Sequence, residues 1–283
     1  MIWVVGAVAI DLIAVREKFL DGTSNPSDIR LGLGGVGYRV FSNLEAPRRF
    51  ITALAGDPIS RWAREALEAD GDAIVQSVTE RDARPPLYLA LMESGSLKVA
   101  ASDFRIMERA LDPSWVAERI GSLAQTDFLL LDANLSQFLL ADLLGRYAAS
   151  TRVVFEPVSV EKAARHAAGL RGLHLATPTP EELAALLGRA DGDPRDGEVF
   201  AFMDERRVAN ILVTRGREGA SLYSGGARQD FAPGRVVDAP DTTGAGDLLD
   251  AALLSTLHRG VPMAEAVRAA MTAVEARLAE GER

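Results

Sequence analysis

Residues 241–247 read DTTGAGD and run without a break into LLDAALLSTLHRG at 248–260. A turn with two glycines before an apolar, Ala/Leu-rich segment is typical of a loop that opens onto a helix. The first N–H groups of such a helix have no intrahelical partner, and the helix dipole adds partial positive charge there. This stretch therefore predicts a site for an anion such as a phosphate group.

The second acid of the stretch, Asp247, is unfavourable in an anion site, because a bound anion repels a neighbouring carboxylate, so a chemical role is expected for it. Taking a proton from an attacking hydroxyl during phosphoryl transfer would be such a role. The alternative is a helix N-terminus that the Thr and Gly residues merely cap. Both interpretations predict the same local backbone, and they differ in chemistry.

Composition narrows the class of protein. The chain has 283 residues, 48% hydrophobic and 25% charged, which are ordinary values for a globular protein. A net charge of −9 gives no attraction for the phosphates of nucleic acid, so we expect no nucleic-acid partner. Without cysteine there are no disulfides and no thiolate ligands, and the three histidines lie far apart in the sequence.

The N-terminal apolar run, IWVVGAVAI, has no basic leader, and no apolar segment approaches the length of a membrane span. We therefore expect a cytoplasmic protein that binds no membrane.

Short β-branched runs alternate with segments of helical period along the chain. They predict strands at 3–8, 50–55, 74–78, 128–132, 153–155, 173–176, 211–213 and 220–223. Between them, helices are predicted at 59–69, 114–123, 137–148 and 180–187. This alternation predicts an α/β fold, a mostly parallel sheet covered on both faces, with ligands at the carboxyl ends of its strands.

Two stretches, 12–33 and 86–104, depart from this alternation and predict hairpins, the second with its turn at Glu93-Ser94-Gly95. They are expected to form a small β-sheet carried on a single domain that spans 1–283. Such a sheet covers a substrate as a lid, or pairs with a second subunit. Leucines at alternate positions of the hairpins favour pairing, so we expect a homodimer through the lid. Plain surface hairpins are the alternative.

DTTGAGD resembles the C-terminal motif of the ribokinase-like carbohydrate kinases, the phosphofructokinase B family. That resemblance implies a three-layer α/β/α sandwich with a small β-sheet lid, and an enzyme that uses ATP and Mg²⁺, in some members with K⁺. It implies that Asp247 is the catalytic base and that Gly244, Ala245 and Gly246 form the anion hole. Asp241 and Thr243 match positions that help to hold a monovalent cation near the nucleotide.

Other segments extend the resemblance. GLGGVGYRVFSNL (32–44) resembles the family's N-terminal glycine motif, and VTRGREGA (213–220) resembles its nucleotide-side strand and turn. The second segment, together with Thr243, implies a set of nucleotide-binding residues, namely Thr214, Gly216, Gly219 and Thr243. SNPSDIR (24–30), ASDFRIMERALDPSWV (101–116), LDANLS (131–136) and PVSVEKA (157–163) resemble, in the same order, segments of pseudouridine kinases within the family.

The resemblance implies that the 5′-hydroxyl of pseudouridine, or of a similar ribosyl compound, accepts the phosphoryl group. It also implies a set of residues near the acceptor: Asp11 at the sugar hydroxyls, Gly34 and Gly35 along the ribose, Asn25 on the lid, and Asn134 and Lys162 near the substrate or phosphate path. Each polar member has a structural alternative. Asp11 could cap a strand end, Asn25 before Pro26 could be a turn residue, and Lys162 could be a solvated helix charge.

Two departures from the family pattern leave the acceptor open. Arg39 stands where the glycine motif usually has Asn, and a guanidinium cannot accept a hydrogen bond. Arg39 either swings out, binds something anionic, or alters sugar binding. In the Asn-x-x-Glu motif that supports Mg²⁺ through water, Thr179 replaces the Asn while Glu182 is kept. A kinase for another sugar or nucleoside, and a degenerate member with little turnover, are the alternatives to a pseudouridine kinase.

Overall fold

The computed structural model describes residues 1–69, 72–78, 82–124, 127–190, 192–237 and 242–281. Over these residues the chain forms two β-sheets and ten α-helices. The strands, in chain order, are β1 (Ile2–Val5), β2 (Ala9–Arg16), β3 (Asp28–Gly34), β4 (Arg48–Ala55), β5 (Ala73–Val78), β6 (Leu87–Glu93), β7 (Ser96–Asp103), β8 (Phe128–Asp132), β9 (Arg152–Glu156), β10 (Leu175–Ala176), β11 (Asn210–Thr214), β12 (Ala220–Ser224) and β13 (Ala227–Phe231).

The helices alternate with the strands of the larger sheet. They are α1 (Val36–Asn43), α2 (Pro58–Ala69), α3 (Arg105–Ala110), α4 (Pro113–Ile120), α5 (Gln137–Tyr147), α6 (Val160–His166), α7 (Pro180–Leu186), α8 (Asp196–Arg206), α9 (Ala245–His258) and α10 (Met263–Gly281). None of those in the described part of the chain is both long enough and apolar enough to span a membrane.

The larger sheet has nine strands in the order β13-β12-β11-β10-β9-β8-β1-β4-β5. The seven neighbouring strands β11-β10-β9-β8-β1-β4-β5 pair in parallel. Strands β12 and β13 extend the sheet as an antiparallel hairpin. Parallel strands need crossover connections, which the helices provide. The carboxyl ends of seven strands therefore lie along one edge.

Both faces of this sheet are covered, as the predicted three layers require. Side chains of one strand alternate between two buried clusters: Leu129 and Leu131 of β8 pack in one, and Phe128 and Leu130 pack in the other. The first cluster includes residues of α3 to α8, and the second those of α1, α2, α9 and α10. The predicted α/β class and parallel sheet are confirmed.

The smaller sheet has the order β3-β2-β6-β7, so the two predicted hairpin regions join in one sheet, the lid. Its β2 pairs with β3 antiparallel and with β6 in parallel. The cross-strand neighbours of Leu12 are Leu31 and Leu89, so all three lie on one face, and Leu31 is 53% exposed. Asp11, the preceding residue, points to the opposite face, because side chains alternate along a strand.

Element boundaries follow the sequence prediction closely where apolar runs are long. The strand at 128–132 is confirmed at both ends, while the strand predicted at 173–176 is reduced to Leu175–Ala176. The sequence analysis missed β13, whose residues are exposed apart from Phe231, and α8. Only Val199, Phe202 and Met203 of α8 are buried, so its apolar stripe is too narrow to stand out in the sequence.

Candidate active site

Acidic and hydroxyl side chains gather where the parallel strands end. Asp132 is the last residue of β8 and Glu156 the last of β9, while Thr177 directly follows β10. The N-terminus of α9 lies at the same edge, since Asp250 on its first turns accepts a hydrogen bond from Thr177 at 3.0 Å. The site expected from DTTGAGD therefore lies at the carboxyl edge of the sheet.

The turn before α9 has the backbone geometry of an anion site. Gly244 is the N-cap with φ 80°, a left-handed conformation that a residue with a side chain rarely adopts. The N–H of Ala245 donates to the carbonyl of Thr242 at 3.1 Å, so it is used within the turn rather than in an anion hole. The N–H groups of Gly246 and Asp247 belong to the first helical turn, where the helix itself supplies no acceptor. Asp241 lies outside the described residues.

Asp247 is largely buried at the start of α9. Desolvation raises the pKa of its carboxyl to about 6, with a smaller contribution from the negative charge of Asp132, and the charge of Arg39 opposes the rise. A carboxylate with this pKa is ionised at neutral pH and is a better proton acceptor than an exposed aspartate. Its chemistry suits a general base.

Arg39 points into the site rather than out to solvent. Its Nη2 donates to Asp11 Oδ2 at 2.8 Å, and its Nη1 lies 4.0 Å from Asp247 Oδ2. Asp11 is buried, and its other carboxylate oxygen, Oδ1, has no hydrogen-bond partner. A buried acceptor without a donor costs free energy, so Oδ1 is suited to bind a ligand with a hydroxyl.

The glycine pair beside Asp11 is required by close packing. A Cβ on Gly34 would lie 2.0 Å from Asp11 Oδ2, far inside van der Waals contact. Gly35 has φ 86°, and a Cβ there would lie 2.7 Å from the carbonyl oxygen of Ala7. Gly34 therefore lies against the carboxylate that the sequence analysis assigned to the sugar, and Gly35 lies against the backbone that leads into β2.

Asp132, Asn134 and Lys162 form a second cluster of polar side chains. The sequence analysis did not identify Asp132 as part of the site. The carboxylate of Asp132 accepts from the N–H groups of Ala7, Gly37 and Asn134 at 2.7, 3.2 and 2.9 Å. Lys162 donates to Asn134 Oδ1 at 2.6 Å, which brings these two predicted residues together. An acid that ends an apolar strand, as in FLLLD, was the sequence signal for Asp132.

Asn25 is committed to the lid loop. Its side-chain amide donates to the carbonyls of Leu20 and Thr23 at 2.9 and 3.0 Å, and its Oδ1 accepts from the Leu20 N–H at 2.8 Å. This is the geometry of the turn residue that was the alternative interpretation. The contacts of Asn25 are therefore local.

A cavity of about 400 Å³ lies against the N-terminus of α9. Predicted nucleotide residues Thr214, Gly216 and Gly219 line it, as do Thr242, Ala245 and Gly246 of the turn and helix. Its remaining lining is largely apolar, with Val237, Leu249, Met271, Val274 and Leu278 among its residues, and it also includes Arg217, Arg235 and Glu275. Apolar walls with a polar rim and a helix N-terminus at one end suit a base, a sugar and phosphates in that order.

Glu182 and Thr179 form the N-terminus of α7. The Thr179 side chain accepts from the Glu182 N–H at 3.3 Å, and Glu182 Oε2 accepts from the Thr179 N–H at 2.8 Å. This capping box explains how Thr replaces the usual Asn, because both residue types cap helices. Thr179 also lines the cavity described above, so Glu182 lies at the nucleotide side.

Two further acids, missed in the sequence analysis, form a buried pair. The hydroxyl of Thr177 lies 2.9 Å from Glu156 Oε2 and 3.0 Å from Asp250 Oδ2. A hydroxyl donates one hydrogen, so one of the two carboxyls must carry a proton. Burial, the largest cause, raises the pKa values of both Glu156 and Asp250 well above their usual range.

Comparisons with known proteins agree with this geometry. Residues 1–280 match the model of the family described as pfkB family carbohydrate kinase. The chain is 24% identical to a pseudouridine kinase of Escherichia coli over 94% of its own length and 86% of the relative's. It is 28% identical to the bifunctional protein HldE of Bradyrhizobium diazoefficiens, over 87% of its length but only 51% of that protein's.

Solved structures extend the comparison. A carbohydrate kinase from Agrobacterium tumefaciens aligns with a TM-score of 0.78 at 26% identity, covering 96% of this chain and 89% of the other. A ribokinase from Arabidopsis thaliana, solved with ribose and ATP, aligns with a TM-score of 0.72 at 20% identity, covering 96% and 90%. The predicted ribokinase-like fold is confirmed.

Gly34→Ala should destabilise the site while Gly32→Ala should not. The added methyl at 34 collides with the Asp11 carboxylate, whereas nothing lies within 4 Å of a Cβ at 32 on the same strand. We expect Gly34→Ala to lower the free energy of unfolding by about 1–3 kcal/mol and Gly32→Ala to change it by less than about 0.5 kcal/mol. Urea denaturation of both variants measures this. Equal stability of the two would show that Asp11 moves freely.

Proposed function

Since the chain belongs to the pfkB family of carbohydrate kinases, we propose that it phosphorylates the 5′-hydroxyl of a nucleoside with ATP, and that pseudouridine is its acceptor. The broader activity, ATP-dependent phosphotransfer to a sugar or nucleoside, follows from family membership. The observation that carries the proposal is the position of Asp247. It lies in the first turn of the helix whose N-terminus lines the nucleotide cavity, and its carboxylate lies 4.0 Å from the guanidinium that holds Asp11.

In the proposed reaction Asp247 takes the proton of the acceptor hydroxyl as that oxygen attacks the γ-phosphorus of ATP. The bond between the γ-phosphorus and the bridging β-phosphate oxygen breaks, and ADP leaves. The N–H groups of Gly244 and Gly246 stabilise the charge on the phosphoryl oxygens. Asp11 orients the acceptor through its free Oδ1, which needs a donor. Lys162, which donates to Asn134, places a partly buried positive charge near Asp132 at the end of β8.

Carboxyl oxygens at the nucleotide side fit a magnesium ion. Glu182, whose capping partner Thr179 lines the nucleotide cavity, offers the carboxylate oxygens that Mg²⁺ prefers and would orient the ion through water. Among the described residues, no three acidic or imidazole side chains form a ready metal-binding cluster. Mg²⁺ bound with ATP would neutralise charge on its phosphates. Of the two residues expected to hold K⁺, Asp241 and Thr243, only Thr243 lies within the described residues.

A second candidate is a kinase for another sugar or nucleoside. Arg39 occupies one oxygen of Asp11, so the acceptor contacts of this site differ from those of a site with Asn at that position. Similarity to the pseudouridine kinase of E. coli, at 24% identity, supports the first candidate. The unaltered DTTGAGD motif at 241–247 argues against a member that has lost turnover.

An acceptor panel separates these candidates. We expect ADP release from ATP and Mg²⁺ with pseudouridine, and less with uridine, ribose or adenosine, because the segments near the site resemble those of pseudouridine kinases. Turnover of fructose phosphates or of ribose alone at a higher kcat/KM would favour the second candidate. No ADP release with any acceptor would favour the degenerate alternative.

Asp247→Asn should abolish phosphoryl transfer while ATP still binds, because it removes the proton acceptor and no nucleotide contact. We expect kcat to fall by a factor on the order of 10²–10⁴. Asp204→Asn, at an exposed position of α8, is the matched control and should keep wild-type kcat. Calorimetric ATP binding and ADP release measure the two effects. A variant at 247 that keeps most of its kcat would show that another group is the base.

The lid supports a proposal about assembly. Its outer face carries exposed apolar side chains on three strands, among them Ile29 and Leu31 of β3, Leu89 of β6 and Val99 of β7. A contiguous apolar face of this kind is typical of a protein interface. We propose a two-fold dimer through this face.

Light scattering tests the dimer. At micromolar concentration we expect about twice the mass of the 30.3 kDa chain, and Leu31→Arg should return it to a monomer because it places a charge in the interface. Phe138→Arg changes an even more exposed apolar residue, on α5 and away from the lid, and should leave the dimer intact. A monomeric wild-type protein would leave the lid as a substrate cover alone.

A further inference from the structure

One guanidinium lies between the two carboxylates that face the acceptor in the proposed function. Arg39 Nη2 donates to Asp11 Oδ2 at 2.8 Å, and Nη1 lies 4.0 Å from Asp247 Oδ2. The side chain is 26% exposed, so its charge is only partly screened by water. Its stem also passes the turn before α9, because a Cβ on Gly244 would lie 3.6 Å from Arg39 Cδ.

The surroundings of Asp247 are otherwise acidic. Asp250 lies one turn along α9, Asp132 ends β8, Glu156 ends β9, and Asp11 on β2 is reached through Arg39. Burial is the largest cause that raises the pKa of Asp247, and the charge of Asp132 adds to it. The pKa values of Glu156 and Asp250 are likewise raised first by burial, with the charge of Asp247 adding to the rise. Arg39 is the cation that opposes these effects at Asp247.

We propose that Arg39 is a positioning residue that keeps Asp247 ionised for proton transfer and fixes Asp11 so that one of its oxygens is left for the acceptor. The proposal rests on the proposed function, because it concerns the same acceptor site. Two arms of a planar guanidinium suit two carboxylates on different elements, which a short amide could not bridge. Arg39 therefore couples the base on α9 to the acceptor-binding acid on β2.

Charge balance favours this role over recognition of an anionic acceptor. The guanidinium already has two carboxylate neighbours, and the carboxylate of Asp132 lies close by. An anionic group on the acceptor, bound beside Asp11, would have to displace that carboxylate from Arg39 and would meet the remaining carboxylates at short range. The hydroxyl of a neutral acceptor donates a hydrogen bond to Asp11 Oδ1, which has no other partner, and the ion pairs stay in place.

Arg39→Met and Arg39→Lys separate charge from packing. Carboxyl ¹³C NMR on aspartate-labelled protein, assigned by the loss of one signal in Asp247→Asn, follows the ionisation of Asp247 without any turnover. In the wild type we expect a midpoint near pH 6. An opposite charge at this distance lowers a carboxyl pKa by about 1–3 units, so Arg39→Met should move the midpoint upward by about 1 unit or more. Arg39→Lys keeps a charge and should retain most of the wild-type midpoint.

The pH dependence of kcat/KM is the second measurement. Because the base must be ionised, activity falls as pH falls through the pKa of Asp247, so an upward shift of about 1 unit in Arg39→Met should lower kcat/KM about fivefold at pH 6, with recovery at higher pH. Arg61→Met, at an exposed position of α2, is the matched control and should keep the wild-type profile. If Arg39→Met does not fold, Arg39→Gln repeats both measurements with a polar side chain.

The outcomes are distinct. An unchanged midpoint of Asp247 in Arg39→Met overturns the proposal, as does a higher KM confined to anionic acceptors, which would make Arg39 an anion-binding residue. If the wild type releases no ADP with any acceptor, the proposed function fails, and the NMR titration still decides whether Arg39 controls Asp247.

Discussion

The carboxylate of Asp132 is the interaction on which the arrangement of the site depends. It is buried, and three backbone N–H groups that follow β1, open α1 and follow β8 converge on it. Each of those segments must come close, and a Cβ on Gly6 would lie 2.5 Å from its Oδ2. The start of α1 is held there, and with it Gly34, Gly35 and Arg39. Hydrogen bonds to an ionised acceptor are among the stronger ones in proteins, which suits a point that fixes three elements.

Negative charge is the cost of this arrangement, and the molecule offsets it in three ways. Arg39 lies between two carboxylates, and Lys162 approaches Asp132 through Asn134. Glu156 and Asp250 instead share a proton through Thr177, because burial favours their neutral forms. The edge of the sheet thus keeps an ionised base without leaving every neighbouring acid charged.

Sequence patterns predicted most of the framework. The long apolar runs and the lid hairpins were found because buried strands and helices have strong periodicity. The contiguous motif at 241–247 predicted the turn, the helix and the base, and the glycine pair was found next to Asp11. Short elements with few buried residues, such as β13, were missed. Asn25 and the N–H of Ala245 were assigned to the site, yet both are used in local turns.

By itself, the sequence determined the α/β class and the glycine turn that opens α9, since both follow from patterns within contiguous segments, and it named Asp247 as the candidate base. The direction of Arg39, the three-way role of Asp132 and the paired acids were decided by the tertiary structure. The contacting residues are separated by 28 positions for Arg39 and Asp11, 125 for Asp132 and Ala7, and 73 for Thr177 and Asp250. Residue type does not specify which distant group a side chain meets. Packing of the strands and helices brings these groups within hydrogen-bonding distance.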